Sequence, residues 1–256
     1  MSDRTTVAAL SDRYQLLNQA ITNALQHHGR NPDDLTLLAV SKRRSSGEIR
    51  QCAQLGQVAF GENYLQEALP KIEACKDLNL EWHFIGRLQR NKTADVTKNF
   101  HWVHTLDRIA VAQRLNDQRP EPMKPLQVCI QVNLDGAANK AGISPEQLPE
   151  LLQKISKLDR LTLRGLMTMP EPVEQIERQR VPFRQLAKLL AEAAVDYPTM
   201  DTLSMGMSAD MDAAIVEGST LLRIGTALFG PRPDAGQGGA SEVTSGTGPD
   251  VTSASG

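Results

Sequence analysis

The chain has 256 residues, a formal net charge of -2 and 23% charged residues, enough length for one sizeable core and no bulk charge that would favour nucleic acid. No apolar run approaches the ~20 residues of a membrane span, and the opening MSDRTTVAAL lacks the pattern of a secretion signal. A cytoplasmic protein with neither nucleic acid nor membrane as partner is expected. Cys52, Cys75 and Cys129 are odd in number and far apart, which suits buried thiols better than disulfides or zinc. The five histidines have no carboxylate or cysteine at ligand spacing, so no metal is expected.

Apolar residues recur at helical spacing over residues 7–28, giving a leading helix that Asn31 and Pro32 end. The first strand is LTLLAVSK, residues 35–42, a nearly all-apolar run that closes on Ser41 and Lys42. Helix 46–55, strand 58–61 running into Glu62 and Asn63, helix 64–75 and strand 81–86 follow. A helix over 92–97 precedes strand 102–105, and Asp107 is expected to cap the helix that runs to Leu115. Strand 126–133 leads into the polar loop DGAANKAG. Pro145 sits in the first turn of a helix continuing to Leu158, and strand 161–167 comes next. The long helix 175–195, strand 202–203, short helix 211–217 and strand 221–224, ending at Gly225 and Thr226, complete the series.

Eight strands alternating with helices imply an α/β protein with a parallel sheet, and the count fits a closed (β/α)8 TIM-type barrel over residues 1–231 with an extra N-terminal helix. An open doubly wound sheet would usually carry a Gly-rich turn after its first strand, where Lys42, Arg43 and Arg44 stand instead. Residues 232–256 are almost devoid of large apolar side chains and are expected to form a disordered tail.

In such a barrel the strand ends share one rim, where chemistry gathers. Lys42 is there either a solvated strand end or, held among apolar groups, an amine able to condense with an aldehyde such as that of pyridoxal phosphate (PLP). The loops SMGMSADM and RIGTALFG follow strands seven and eight, the usual phosphate position of this fold. Ser208, Gly225 and Thr226 suit an anion, while the alternative for Ser208 and Thr226 is a pair of helix N-caps. Arg223 lies two residues before Gly225 and by alternation faces the interior, where a guanidinium needs an acceptor. A pyridine nitrogen would serve, and so would a barrel carboxylate such as Glu62.

The blocks LLAVSK at 37–42, FGENY at 60–64, WHFIGRLQRNK at 82–92, RGLM at 164–167, SMGMSADM at 204–211 and RIGTALFG at 223–230 together resemble the pyridoxal phosphate homeostasis proteins. These are related to the N-terminal barrel of alanine racemase, and the likeness runs from the leading helix to about Pro231. It implies that Lys42 holds PLP as a Schiff base, that Asn63 lies near the ring, that Arg223 faces the pyridine nitrogen, and that Ser208, Gly225 and Thr226 hold the phosphate. Lys140, in the loop after the fifth strand, is implied as a basic residue near the mouth that helps pass the cofactor on. Two departures from the family pattern are Arg87 with Arg90 after WHFIG, and Arg44 where bacterial relatives commonly have lysine; an arginine cannot form a Schiff base.

The resemblance implies a monomeric protein that binds PLP and supplies it to apo-enzymes without turnover of its own. The alternative is a PLP-dependent amino-acid racemase, which needs an acid-base group on each face of its substrate. Lys42 serves only one face, and of the chain's three tyrosines Tyr64 alone is expected near the rim.

Overall fold

The computed structural model describes residues 2–136 and 140–231; the expected tail, residues 232–256, and the centre of the DGAANKAG loop lie outside them. Eight parallel strands close in sequence order into a barrel: β1 (Thr36–Val40), β2 (Ala59–Glu62), β3 (Glu81–Phe84), β4 (Trp102–Leu106), β5 (Leu126–Gln131), β6 (Leu161–Met167), β7 (Thr202–Ser204) and β8 (Leu221–Ile224). The ring shuts where β1 pairs with β8, Leu38 beside Arg223 and Ala39 beside Ile224. Around it run α1 (Ser2–His27), α2 (Ser46–Gln54), α3 (Leu65–Ala74), α4 (Thr93–Asn99), α5 (Ile109–Gln118), α6 (Leu148–Ile155), α7 (Ile176–Ala194), α8 (Met211–Val216) and α9 (Thr226–Phe229). No helix among the described residues is long and apolar enough to cross a membrane.

The main core lies between barrel and helices, with Phe60, Phe100 and Phe183 fully buried in it. Each such side chain contributes roughly 1.5–3 kcal/mol of burial. The leading helix is part of this shell. Arg13 on α1 donates to the Leu228 carbonyl at 2.9 Å, and Arg30 just beyond it donates to the carbonyls of Ile215 and Ser219. Gly29 has φ +66°, the left-handed geometry in which helices commonly end. All three cysteines are buried and unbridged.

Three local expectations are corrected. β1 stops at Val40, so Ser41 and Lys42 leave the ladder before the turn. Asp107 does not cap α5: Arg108 holds the N-cap position, and the Asp107 carboxylate accepts from the Arg108 Nε instead. The helix after Pro145 begins as a 3-10 turn, Pro145–Gln147, with Ser144 and Gln147 in a capping box, and its α-helical part ends at Ile155 rather than Leu158.

Candidate functional site

Register places the rim residues. Val40 pairs with Gly61 across β1 and β2, and the Ser41 amide donates to the Gly61 carbonyl at 3.0 Å. Lys42 and Asn63 therefore leave neighbouring strands at the same height, both on the parity of the bore-facing residues Leu38 and Gly61. A Cβ on Gly61 would meet Leu38 and Ile85 inside the barrel. Asn63 is also pressed from the other side: a Cβ on Gly86 would come within 1.9 Å of the Asn63 carbonyl oxygen, so only glycine allows β2 and β3 to emerge this close. The Asn63 Oδ1 is buried and has no hydrogen-bond partner among the described residues.

Lys42 is half-buried in a turn whose next residue, Arg43, has φ 59°, the left-handed region that non-glycine residues avoid. The turn's backbone amides are held on both sides. The Arg43 amide donates to Glu67 Oε2 at 2.9 Å, and the Arg44 amide donates to the Ser41 carbonyl at 3.0 Å. Such strain clusters at functional sites.

Beneath the turn lies a buried ion pair. Lys71 of α3 donates to Glu62 Oε1 and to the Ser41 carbonyl, each at 2.9 Å, and the Ser41 hydroxyl donates to the same carboxylate oxygen at 2.6 Å. Burial pushes the Glu62 carboxyl above its ordinary value, against the lowering by Lys71 and Ser41. Glu62 thus faces outward to α3, one residue out of phase with Gly61. The expected alternative partner of Arg223 is corrected accordingly.

Arg223 is buried in the bore, and its acceptors are neutral. One terminal nitrogen donates to Ser204 O at 2.5 Å and Ser204 Oγ at 2.9 Å, the other to Thr168 O at 2.8 Å. No ion pair to Arg223 occurs among the described residues. Burial lowers its guanidinium to about 10, which leaves it charged at neutral pH.

Above Arg223 the loop after β7 turns through Gly206, where φ is +96° and an added Cβ would strike Ala214 and Leu222 at 2.5 and 2.6 Å. The Arg223 amide donates to the Gly206 carbonyl at 3.0 Å, so this glycine joins the loop to β8. Ser208 is exposed in the following turn, which Asp210 fixes by accepting from the Met207 amide. Neither of the foreseen N-caps forms. Asp210 and Gly225 hold those positions in α8 and α9, without a side-chain cap bond. Gly225 stands level with Val40, and Thr226 is exposed at the start of α9.

Lys140 is paired with Asp135 and, at 2.9 Å, with Glu171 in the loop after the neighbouring strand β6. Arg87 lines a surface cleft beside Asn63 together with Tyr64 and Lys92. Arg44 turns away from the bore, stacking 5.5 Å from the Phe229 ring centre and donating to the carbonyls of Gly230 and Pro231.

Residues 17–233 match the family described as alanine racemase, N-terminal domain. A pyridoxal phosphate homeostasis protein of Vibrio alginolyticus is 52% identical over 211 residues, covering 81% of this chain and 91% of the relative. The chain belongs to the pyridoxal phosphate homeostasis protein family. Its counterpart in Escherichia coli K12 is 48% identical over 83% of this chain and 92% of its own. Among solved structures, PipY of Synechococcus elongatus with PLP bound superposes with a TM-score of 0.75 at 34% identity, covering 86% of this chain and all of PipY. Alanine racemase of Corynebacterium glutamicum, 16% identical with a TM-score of 0.64, shares the fold over 91% of this chain and 64% of its own.

The homeostasis-protein likeness was legible in the sequence blocks. Missed were His83 and His104, set aside for want of metal-ligand spacing, and Lys71, which the sequence reading did not single out. The available signal was parity: His83 and His104 fall on the inward faces of β3 and β4.

Proposed function

We propose that the chain binds pyridoxal 5'-phosphate in the barrel mouth, with the Lys42 amine holding its aldehyde, and serves to keep and supply the cofactor. The observation that carries this reading is that Lys42 and Asn63 each lie two residues past the paired Val40 and Gly61, Asn63 with a buried Oδ1 that lacks an acceptor's usual donor. A buried polar atom left without a partner costs about 1–3 kcal/mol, and a polar ligand at this height would relieve it. PLP supplies an aldehyde that reacts reversibly with amines.

The residues of the chain divide the rest of the binding. Arg223 offers a permanent donor to the ring nitrogen and, unlike a carboxylate, cannot accept from it, so it favours the unprotonated ring and a weak electron sink. Ser208, Gly225 and Thr226 lie past the ends of β7 and β8 and take the phosphate, the hydroxyls of Ser208 and Thr226 being uncommitted to helix caps. Lys140 stands by the mouth, where its two carboxylate partners keep it for an incoming anion only on exchange. The protein acts as a cytoplasmic monomer that passes PLP to apo-enzymes and has no turnover of its own. Among the tyrosines, Tyr14 is in α1 and Tyr197 packs on the outer core, so a second base opposite Lys42 would have to be the exposed Tyr64.

The test is borohydride treatment of the PLP-loaded protein followed by peptide mapping. A pyridoxyl label on Lys42 is expected, and Lys42→Ala should abolish it. Label on another lysine would sink the assignment, and enzyme-like exchange of the α-hydrogen of alanine or serine with heavy water would favour the racemase.

A further inference from the structure

The interior of a (β/α)8 barrel is ordinarily filled by branched apolar side chains. Here a line of polar groups crosses it. Glu81 Oε1 lies 2.8 Å from His83 Nε2, His83 Nδ1 lies 2.9 Å from His104 Nε2, His104 Nδ1 lies 2.8 Å from Ser204 Oγ, and Ser204 Oγ lies 2.9 Å from an Arg223 terminal nitrogen. The line begins at the first residue of β3, at the end of the bore away from Lys42, where the Glu81 side chain is 44% exposed. It steps to β4, crosses to β7 and ends on β8.

Its two ends fix its direction. A guanidinium has only donors and an ionised carboxylate only acceptors. Arg223 therefore donates to Ser204 Oγ, which leaves the serine hydrogen for His104 Nδ1. His104 then donates from Nε2 to His83 Nδ1, and His83 donates from Nε2 to Glu81. Reversing the histidines would bring two donors onto Ser204 Oγ and leave the serine hydrogen without an acceptor. Burial lowers both imidazoles, His104 well below its ordinary value, in agreement with two neutral rings. His83 is further fixed by stacking on Trp102, with 9° between the ring planes.

We propose that Glu81, His83, His104 and Ser204 are positioning residues, a one-directional hydrogen-bond relay that aims Arg223 at the ring-nitrogen site and links it to a carboxylate at the opposite end of the barrel. The ring-facing part rests on the PLP reading above; the direction of the relay does not. Arg223 has no carboxylate bonded to it, and Asp210, which acts on it through space, is bound to the Met207 amide. The relay supplies by polarisation what a direct ion pair would supply by contact, while keeping other Arg223 donors for a ligand.

Nitrogen NMR of the histidine-labelled apo-protein tests the direction. Both His83 and His104 should be neutral with hydrogen on Nε2; an imidazolium at His83 or hydrogen on Nδ1 of His104 overturns the relay whatever the protein binds. Ser204→Ala cuts the line beside Arg223. Roughly tenfold weaker PLP binding, the order of one charged hydrogen bond, and an altered absorption of the bound cofactor are expected. A folded Ser204→Ala protein with unchanged affinity and spectrum refutes the proposal. Should that variant not fold, Glu81→Gln, changed at the half-exposed end, carries the decision: its amide can donate as well as accept, so mixed histidine tautomers and a shifted PLP spectrum are expected, and neither would move if the line only filled space. Failure of the unaltered protein to take PLP would overturn the functional reading and the ring-facing role, and borohydride mapping identifies that case separately from a failed relay.

Discussion

Glu62 and Arg223 are both buried charges close to the strand that delivers Lys42, yet the first is neutralised by contact and the second is not. Glu62 sits outside the barrel wall, where Lys71 and Ser41 close on one of its oxygens. Arg223 sits inside, bonded to carbonyls and a hydroxyl, and the hydrogen-bonded line from it reaches a carboxylate only through Ser204 and two imidazoles. A closed ion pair fixes backbone, because Lys71 also grips the Ser41 carbonyl next to Lys42. An arginine with neutral acceptors keeps its charge available to something else. Position relative to the wall, not burial, separates a charge closed by an ion pair from one left with neutral acceptors.

The largest effect should come from breaking the closed pair. Lys71→Met leaves Glu62 buried without a cation, and a loss of about 3–5 kcal/mol is expected in denaturant unfolding. Adding Glu62→Gln to that variant should restore part of the loss, since replacing both charges of a buried pair is far less costly than removing one. If the single and double variants are equally unstable, the pair is not the unit described here.

The open cluster should show itself through pH. His83 and His104 are held neutral below their ordinary value, so the unfolded chain binds protons that the native chain does not. Their contribution is complete above the unfolded imidazole value of about 6.5 and is lost as pH falls below it, by up to about 1.4 kcal/mol per unit for each ring. Glu62, raised chiefly by burial, works in the opposite sense. Unfolding measured between neutral and mildly acid pH should show a net decline that flattens in His104→Gln.

A smaller change sharpens the same contrast at the turn. Arg43→Gly removes the cost of φ 59°, and a gain of about 1 kcal/mol is expected, offset in part by the greater freedom of glycine in the unfolded chain. The Arg43 amide bond to Glu67 uses backbone only and should survive. A loss in unfolding free energy would mean that the Arg43 side chain matters more than its backbone.

Much of this architecture was legible in the sequence, because parallel strands buried on both faces read as short apolar runs and the helices between them as periodic ones. β6 and β8 have the bounds that their composition gives, Leu161–Met167 and Leu221–Ile224. Parity also carried Arg223 to the inside. It failed where parity was not applied to every strand: Gly61 and Asn63 take the inward phase on β2, so Glu62 could not reach Arg223. The relay was harder to foresee. Ser204 is 100 residues from His104, and only ring closure brings β4 and β7 face to face. A histidine with no partner nearby in sequence is not thereby without one in space.

Arg44, the departure that cannot form a Schiff base, has a consequence for labelling. It ties Phe229, Gly230 and Pro231 to the turn that carries Lys42, so the last described residue is anchored by a side chain two positions from Lys42. A small fluorophore joined directly after Pro231 would start its reach at the mouth, within energy-transfer range of any chromophore held there. Loading and release of PLP could then be followed by the brightness of the label, without touching a residue of the site.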